Sequence, residues 1–239
     1  GNLVVGSYNN SWRADAEEIG SVWRMQAGTR QLQEIIDYKI RCSNATCFTP
    51  DGKSMFFCDS PTRRVYVFDY DPRGGLSNRR LMYELPSGMD GSPDGAQCDA
   101  EGCPWIAISG ASKVIRLNRD GVVDHEIELP VKSPTSVTFG GRDLDTIFVT
   151  TRGPDGGSVY AVKAPEGITG APEVAFGDVS QIVPSAGDAG GAGMGMVTSV
   201  MAGLGVAAAL TGAGNFCAAC GVKHAAPGKF CVECGAPRA

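Results

Sequence analysis

The sequence contains little histidine and little charge. Only two histidines and 20% charged residues are spread over 239 positions. It also lacks a long amphipathic helical segment, a Gly-x-Ser-x-Gly nucleophile elbow and a Walker-type phosphate loop. These absences argue against an α/β-hydrolase site, a P-loop nucleotide site and catalysis centred on histidine.

The composition that is present indicates a packed domain with many turns. Hydrophobic residues make up 43% of the chain, which is enough to form a core, and its length allows one sizeable domain plus an appendage. Thirty-three glycines and 14 prolines indicate frequent tight turns. The net charge of -5 argues against a body that coats nucleic acid, because phosphate binding needs a basic face.

Four of the nine cysteines form two Cys-x-x-Cys pairs near the end of the chain, each followed by glycine: Cys217, Cys220, Cys231 and Cys234. Two thiolates at this spacing bind one ion, and two such pairs complete a tetrahedral zinc site. Residues 216–239 are the predicted zinc ribbon. The resemblance to the zinc-ribbon family covers Phe216 to Pro237 and implies a structural zinc but names no partner, and the acidic composition favours a protein partner over nucleic acid. Coincidental cysteines or two disulfides are the alternatives.

The other five cysteines are an odd number, so they cannot all pair with one another. Free thiols together with a thiolate-bound zinc indicate a reducing compartment, and we expect a cytoplasmic protein. These five cysteines lie on or beside predicted strands, where a thiol usually packs as a small apolar group.

Residues 1–184 contain an internal repeat of a glycine turn, an apolar strand, a polar turn and an alternating strand. The clearest copies begin near Gly52, Gly102 and Gly141, and a weaker copy begins at Gly1. A spacing of roughly 40 to 50 residues is typical of propeller blades. The repeat predicts an all-β fold, a β-propeller with about four blades. A twisted β-sandwich is the alternative.

Several motifs in this region resemble the gluconolactonase/regucalcin (senescence-marker-protein) family. They include Asn44 to Gly52, Asp59 with Ser60, Phe68 to Asp71, Ser92 to Gly102 and Phe139 to Gly141, and the match runs in order through most of residues 1–163. The resemblance implies a six-bladed propeller that binds one divalent cation on its axis. It also implies hydrolysis of sugar lactones or related esters.

The resemblance further implies which residues form the site. Asn44 and Asp94 match the Asn and Asp that hold the axial cation, and Asp94 would also be the general base. Amide and carboxylate oxygens suit Ca²⁺ and Mg²⁺ and are acceptable to Zn²⁺. Without the resemblance, Asp94 would be interpreted as a turn residue in Ser-Pro-Asp-Gly and Asn44 as an ordinary loop residue.

The sequence departs from the family pattern in one respect. The third cation ligand of the family is a Glu beside a Gly-Pro turn in the first blade, and no such segment is present. Two of six blades have no counterpart, so we expect an N-terminally incomplete chain. One hypothesis is a fragment of a cation-dependent lactonase. The other is a non-catalytic interaction protein with a degenerate propeller and a zinc-ribbon docking module.

Residues 185–215 separate the two predicted domains. This segment is rich in glycine and alanine and has little charge. We expect a flexible linker with a short Ala-rich helix. Membrane contact is the alternative, but leucine and valine are few and no basic cluster flanks the segment.

Overall fold

The computed structural model describes residues 1–9, 15–29, 31–153 and 157–173. The predicted linker and zinc ribbon therefore lie outside the described residues. The described part contains these strands: β1 (Leu3–Gly6), β2 (Val22–Met25), β3 (Leu32–Glu34), β4 (Ser43–Phe48), β5 (Ser54–Asp59), β6 (Arg64–Asp71), β7 (Gly75–Glu84), β8 (Ser92–Cys98), β9 (Pro104–Ser109), β10 (Lys113–Leu117), β11 (Val123–Glu128), β12 (Ser133–Gly140), β13 (Thr146–Arg152) and β14 (Val159–Lys163). One short 3₁₀ turn, Ser60–Thr62, follows β5.

The strands form four antiparallel sheets in chain order. Their strand orders are β1-β2-β3, β4-β5-β6-β7, β8-β9-β10-β11 and β12-β13-β14. Each sheet is a meander, so every strand pairs with its neighbour in sequence. The predicted all-β fold and its recurring antiparallel unit are confirmed. Closure into six blades remains a prediction.

The repeated Gly turns have a clear local cause. Gly52 and Gly102 have φ angles of 67° and 82°, a left-handed conformation that a side chain would disfavour. The amide of Gly52 donates to the carbonyl of Thr49 at 2.8 Å, and the amide of Gly102 donates to that of Asp99 at 3.0 Å. The same turn therefore joins the first and second strands of two successive sheets.

The core lies between the sheets, because the middle strands are buried on both faces. On β5, Phe56 packs toward the third sheet and Phe57 toward the first. On β9, Ile106 packs toward the second sheet and Trp105 toward the fourth. Each such side chain contributes about 2 to 3 kcal/mol of burial free energy. The sheets therefore depend on one another for stability, as stacked blades do.

A buried ion pair holds the third sheet together. The carboxylate of Asp99 is inaccessible to solvent, and its Oδ2 accepts hydrogen bonds from Arg116 Nε at 2.7 Å and Trp105 Nε1 at 3.1 Å. Its Oδ1 accepts the backbone amides of Glu101 and Cys103, both at 3.0 Å. Asp99, Glu101 and Cys103 come close enough to suggest a metal cluster. However, these four donors occupy the Asp99 carboxylate, so the group is structural.

Within the described residues, no helix is long and apolar enough to cross a bilayer. The segment that prompted the membrane alternative, residues 185–215, is not among them.

The buried pair generates a stability prediction. Arg116→Met would leave the Asp99 carboxylate buried without its cation, and we expect the free energy of unfolding to fall by about 3 to 5 kcal/mol. Lys113→Met is the matched control on the same strand, because it removes only the more exposed pair with Glu126 and should cost less than about 1 kcal/mol. Urea unfolding of both variants provides the measurement. Equal losses in the two variants would contradict the assigned role of Arg116.

Candidate functional site

Asn44 and Asp94 lie on two strands that face each other across adjacent sheets. Asn44 is the second residue of β4 and Asp94 the third residue of β8. These strands and β12 are the first strands of the second, third and fourth sheets, and β8 contacts both of the others. Both side chains are half-buried.

A β-bulge interrupts each of these three strands near its beginning. The bulges lie between Asn44 and Cys47 on β4, between Pro93 and Ala96 on β8, and between Pro134 and Ser136 on β12. Within the β4 bulge, Ala45 has a φ of 50°. Bulges redirect side chains out of the regular alternation of a strand. Asn44 and Asp94 therefore lie at irregular positions, where they can turn toward a common point.

Close packing surrounds the second of these bulges. A Cβ atom added to Gly95 would lie 2.4 Å from Ser136 Oγ on β12. Only glycine fits at this position unless β12 moves. The Pro-Asp-Gly sequence thus has a packing role here in addition to its turn propensity.

The two side chains meet in the structure. With the Asn44 amide in one orientation, its Nδ2 donates to Ser60 Oγ at 2.8 Å, and Ser60 Oγ donates in turn to the carbonyl of Pro93 at 2.7 Å. The amide oxygen then lies 3.1 Å from both Asp94 Oδ1 and the carbonyl oxygen of Ser43. In this orientation the amide oxygen lies beside two further oxygens, so a proton on Asp94 or a cation is needed between them.

A half-turn of the amide gives the other arrangement. Nδ2 then donates to Asp94 Oδ1 and to the Ser43 carbonyl, and the amide oxygen accepts from Ser60 Oγ. Ser60 has only one hydroxyl proton, so it must then choose between Asn44 and Pro93. The first orientation keeps both hydrogen bonds of Ser60 but needs either a proton on Asp94 or a cation beside the amide oxygen.

The oxygens of the first orientation fit a hard divalent cation. Amide, carboxylate and backbone carbonyl oxygens are the ligands that Ca²⁺ and Mg²⁺ prefer. Asp94 Oδ1 on β8 and the Ser43 carbonyl oxygen on β4 each lie 3.1 Å from the same Asn44 amide atom, and Ser60 Oγ lies 2.8 Å from the other amide atom. The sequence-based assignment of Asn44 and Asp94 to one site is therefore compatible with the observed geometry.

The environment of Asp94 changes its acidity. Burial raises the pKa of its carboxyl to about 6, while the positive charge of Arg152 and a hydrogen bond from the Gly95 backbone oppose this rise. Arg152 ends β13 and pairs with Ser133 at the start of β12. The carboxyl of Asp94 is thus a base that titrates close to neutral pH.

Asp59 holds in place the backbone segment that leads to Asn44. Its Oδ1 accepts the backbone amides of Arg41 at 3.1 Å and Cys42 at 2.8 Å, which holds the segment entering β4. The thiol of Cys42 lies 3.5 Å from Asn44 Nδ2. Burial raises the pKa of this thiol, and it is therefore not activated as a nucleophile.

Sequence reasoning missed three of these neighbours. Ser60 stands within a motif of the family resemblance but had no assigned role. Cys42 was interpreted only as a core residue, and Arg152 has no local signal because it reaches the site from another sheet. The predicted zinc ligands Cys217, Cys220, Cys231 and Cys234 lie outside the described residues.

The fold and the paired oxygens define a propeller-like protein with a candidate cation site. The family model described as SMP-30/Gluconolactonase/LRE-like region matches residues 1–153. The chain therefore belongs to the SMP-30/gluconolactonase/LRE-like family.

Individual relatives support the same grouping. The chain is 35% identical to 6-deoxy-6-sulfogluconolactonase of Pseudomonas putida over 140 residues, which cover 59% of this chain and 47% of that protein. It is 33% identical to L-arabinolactonase of Azospirillum brasilense over 133 residues, which cover 56% of this chain and 43% of that protein. The chain thus spans about half the length of these curated relatives.

A solved structure supports the fold. Regucalcin of Agrobacterium tumefaciens, described as a calcium-binding protein, aligns with a TM-score of 0.63 and 27% identity. The alignment covers 72% of this chain and 59% of regucalcin. The lactonase family expected from the motifs is confirmed at this level.

The raised pKa of Asp94 predicts a specific pH dependence of stability. Because the folded protein holds this proton more tightly than the unfolded chain, the free energy of unfolding should fall as pH rises from about 4 to 6. In metal-free protein, Asp94→Asn should remove this loss and stabilise the fold at pH 7 by roughly 1 to 3 kcal/mol. Urea unfolding between pH 4 and 7 measures the effect.

The control for this experiment is Asp51→Asn. Asp51 is exposed, and its hydrogen bond from Thr49 lowers the pKa of its carboxyl, so its contribution to stability has the opposite sign. If Asp94→Asn changed the pH dependence of the free energy of unfolding in the same direction as Asp51→Asn, the raised pKa assigned to Asp94 would be contradicted.

Proposed function

We propose that this protein hydrolyses a sugar lactone with the help of a divalent cation held by Asn44 and Asp94. The observation that carries the proposal is the contact, at 3.1 Å, of the Asn44 side-chain amide with both Asp94 Oδ1 and the Ser43 carbonyl oxygen. The named lactonase relatives supply the substrate class. Family membership and this geometry are independent observations, and they support the same reaction.

Each residue has a definable part in the proposed reaction. Asn44 Oδ1 and the Asp94 carboxylate would hold the cation, and Ser60 keeps the amide oxygen directed toward it. When bound, such an ion polarises an ester carbonyl and lowers the pKa of a bound water. The Asp94 carboxylate would accept the proton of the attacking water.

Arg152 influences the pKa of Asp94 but is not one of the proposed cation ligands. Its positive charge opposes the effect of burial on Asp94, so more of the carboxylate is ionised at neutral pH. Asp94 is half-buried, so less water surrounds its carboxylate. The attraction between this carboxylate and Arg152 is therefore screened less than it would be in bulk water.

The ligand set on the described residues is incomplete for calcium. Ca²⁺ takes roughly six to eight oxygens, and Asn44, Asp94 and Ser43 offer three. We infer that water and the substrate provide the others.

The proposal predicts cation-dependent opening of gluconolactone. After treatment with a chelator, we expect activity to return with Ca²⁺, Mg²⁺ or Zn²⁺, and Asp94→Asn should lower kcat/KM by at least about 100-fold. A pH-stat assay corrected for spontaneous opening measures the rate. The exposed Asp51→Asn variant serves as the control and should retain activity. Equal rates in the Asp94 variant and the parent protein would remove the proposal.

The C-terminal cysteines support a separate structural proposal. We infer that residues 216–239 bind one zinc ion through Cys217, Cys220, Cys231 and Cys234, and that this module docks onto a protein partner. The paired Cys-x-x-Cys spacing carries this inference. The five cysteines of the described part are all free, in agreement with a reducing compartment.

Elemental analysis of the full chain tests the zinc module. Protein expressed with zinc should carry one firmly bound zinc, and Cys220→Ser together with Cys234→Ser should lose it. Cys58→Ser changes a buried thiol of the second sheet and should keep the zinc. Zinc retained after both ribbon substitutions would contradict the site.

A further inference from the structure

Two buried cysteines are in contact on β4 and β8, the two strands that carry the candidate site. The Cys98 thiol on β8 donates a hydrogen bond to Cys47 Sγ on β4, with the sulfurs 3.6 Å apart. The exposed fractions of Cys47 and Cys98 are only 6% and 4%. Both residues belong to the core cluster that joins the second and third sheets.

We propose that Cys47 and Cys98 are an oxidisable dithiol that closes to a disulfide in the presence of hydrogen peroxide. The inference does not depend on lactone hydrolysis and assigns a modification site in the core of the protein. Its basis is the direct contact of two thiols on strands that already lie side by side.

The geometry requires little movement. A disulfide has a sulfur–sulfur distance of about 2.05 Å, so the two sulfurs must approach by roughly 1.5 Å. They start from direct contact, and no other side chain has to leave the space between them. The flanking strands β4 and β8 are in contact along their length.

The reaction balances with peroxide as the oxidant. One thiolate attacks a peroxide oxygen and the O–O bond breaks, which gives a sulfenic acid and, after proton transfer, one water. The second thiol then attacks the sulfenic sulfur, the S–O bond breaks and a second water leaves. In total two thiols lose two protons and two electrons, and one peroxide becomes two waters.

The environment makes this oxidation slow at neutral pH. The hydrogen bond to Cys47 and burial both raise the pKa of the Cys98 thiol well above its usual value. The thiolate is the attacking form, so the rate should increase with pH. Peroxide is small enough to reach a buried thiol during brief opening of the sheets.

The bond would connect the two strands that carry the site. Cys47 lies three residues after Asn44, and Cys98 lies four residues after Asp94. The two cysteines are 51 positions apart in sequence, so the bridge would close a long loop of the unfolded chain. We therefore expect the oxidised form to unfold at a temperature higher by roughly 5 to 10 °C.

Tryptic mapping of the full chain tests the proposal and has built-in controls. Cleavage after Arg41 and Lys53 places Cys42 and Cys47 on one peptide, and cleavage after Arg80 and Lys113 places Cys98 and Cys103 on another. Reduced native protein is treated with peroxide at pH 7 and pH 9, its remaining thiols are blocked, and the digest is analysed without reductant. We expect a cross-link between these two peptides that forms faster at pH 9.

Single substitutions identify the sulfurs involved. Cys47→Ser and Cys98→Ser should abolish the cross-link, whereas Cys42→Ser and Cys103→Ser, on the same two peptides, should leave it. If the native parent protein gives no cross-link, or gives it only in urea, the dithiol assignment is overturned without reference to any variant. Persistence of the cross-link in Cys47→Ser would overturn it as well.

Discussion

The contact between the Asn44 amide and the Asp94 carboxylate is the constraint on which the site depends. Two oxygens at 3.1 Å repel each other unless a proton, an amide hydrogen or a cation lies between them. Rotating the Asn44 amide by 180° changes its hydrogen bond with Ser60 and also changes which atom faces Asp94. The hydrogen bonds of Ser60 are therefore linked to the charge state of Asp94. In one orientation the amide oxygen faces Asp94 and in the other the amide nitrogen does, and a cation between the two side chains would favour the first.

Asp94 and Asp99 show how the same strand region uses carboxylates in two ways. They lie five positions apart in sequence, and Asp99 is fully buried whereas Asp94 is half-buried. Asp99 is matched by Arg116, Trp105 and two backbone amides, which leaves no capacity for a ligand. Asp94 has only distant compensation from Arg152 and a backbone bond, and burial raises its pKa. A buried carboxylate with a full set of hydrogen-bond and charge partners, such as Asp99, stabilises the sheet. A carboxylate with fewer partners, such as Asp94, is able to bind a cation or accept a proton.

Sequence reasoning could predict the repeat and the approach of Asn44 to Asp94, because both follow from local turn chemistry and family motifs. The Gly52 and Gly102 turns recur with their strands, and this periodicity survives in the fold. The contacts between different sheets produce no such periodic pattern in the sequence. The Cys47 and Cys98 contact, the place of Ser60 and the charge of Arg152 depend on how separate sheets pack. Such contacts have no fixed sequence spacing, and bulges shift the side-chain alternation from which one would try to infer them.

The bulges explain why chemistry and packing coexist on β4 and β8. Before the bulge in β4, Asn44 contacts the polar side chain of Ser60. Within the bulge in β8, Asp94 follows Pro93, whose carbonyl accepts a hydrogen bond from Ser60. After each bulge, alternation resumes and places Cys47 and Cys98 in the apolar layer between the sheets. A strand without a bulge would carry one pattern throughout, either into the core or away from it. The irregularity thus allows each strand to serve the site at one end and the core at the other, and it brings a thiol pair within a few residues of the base.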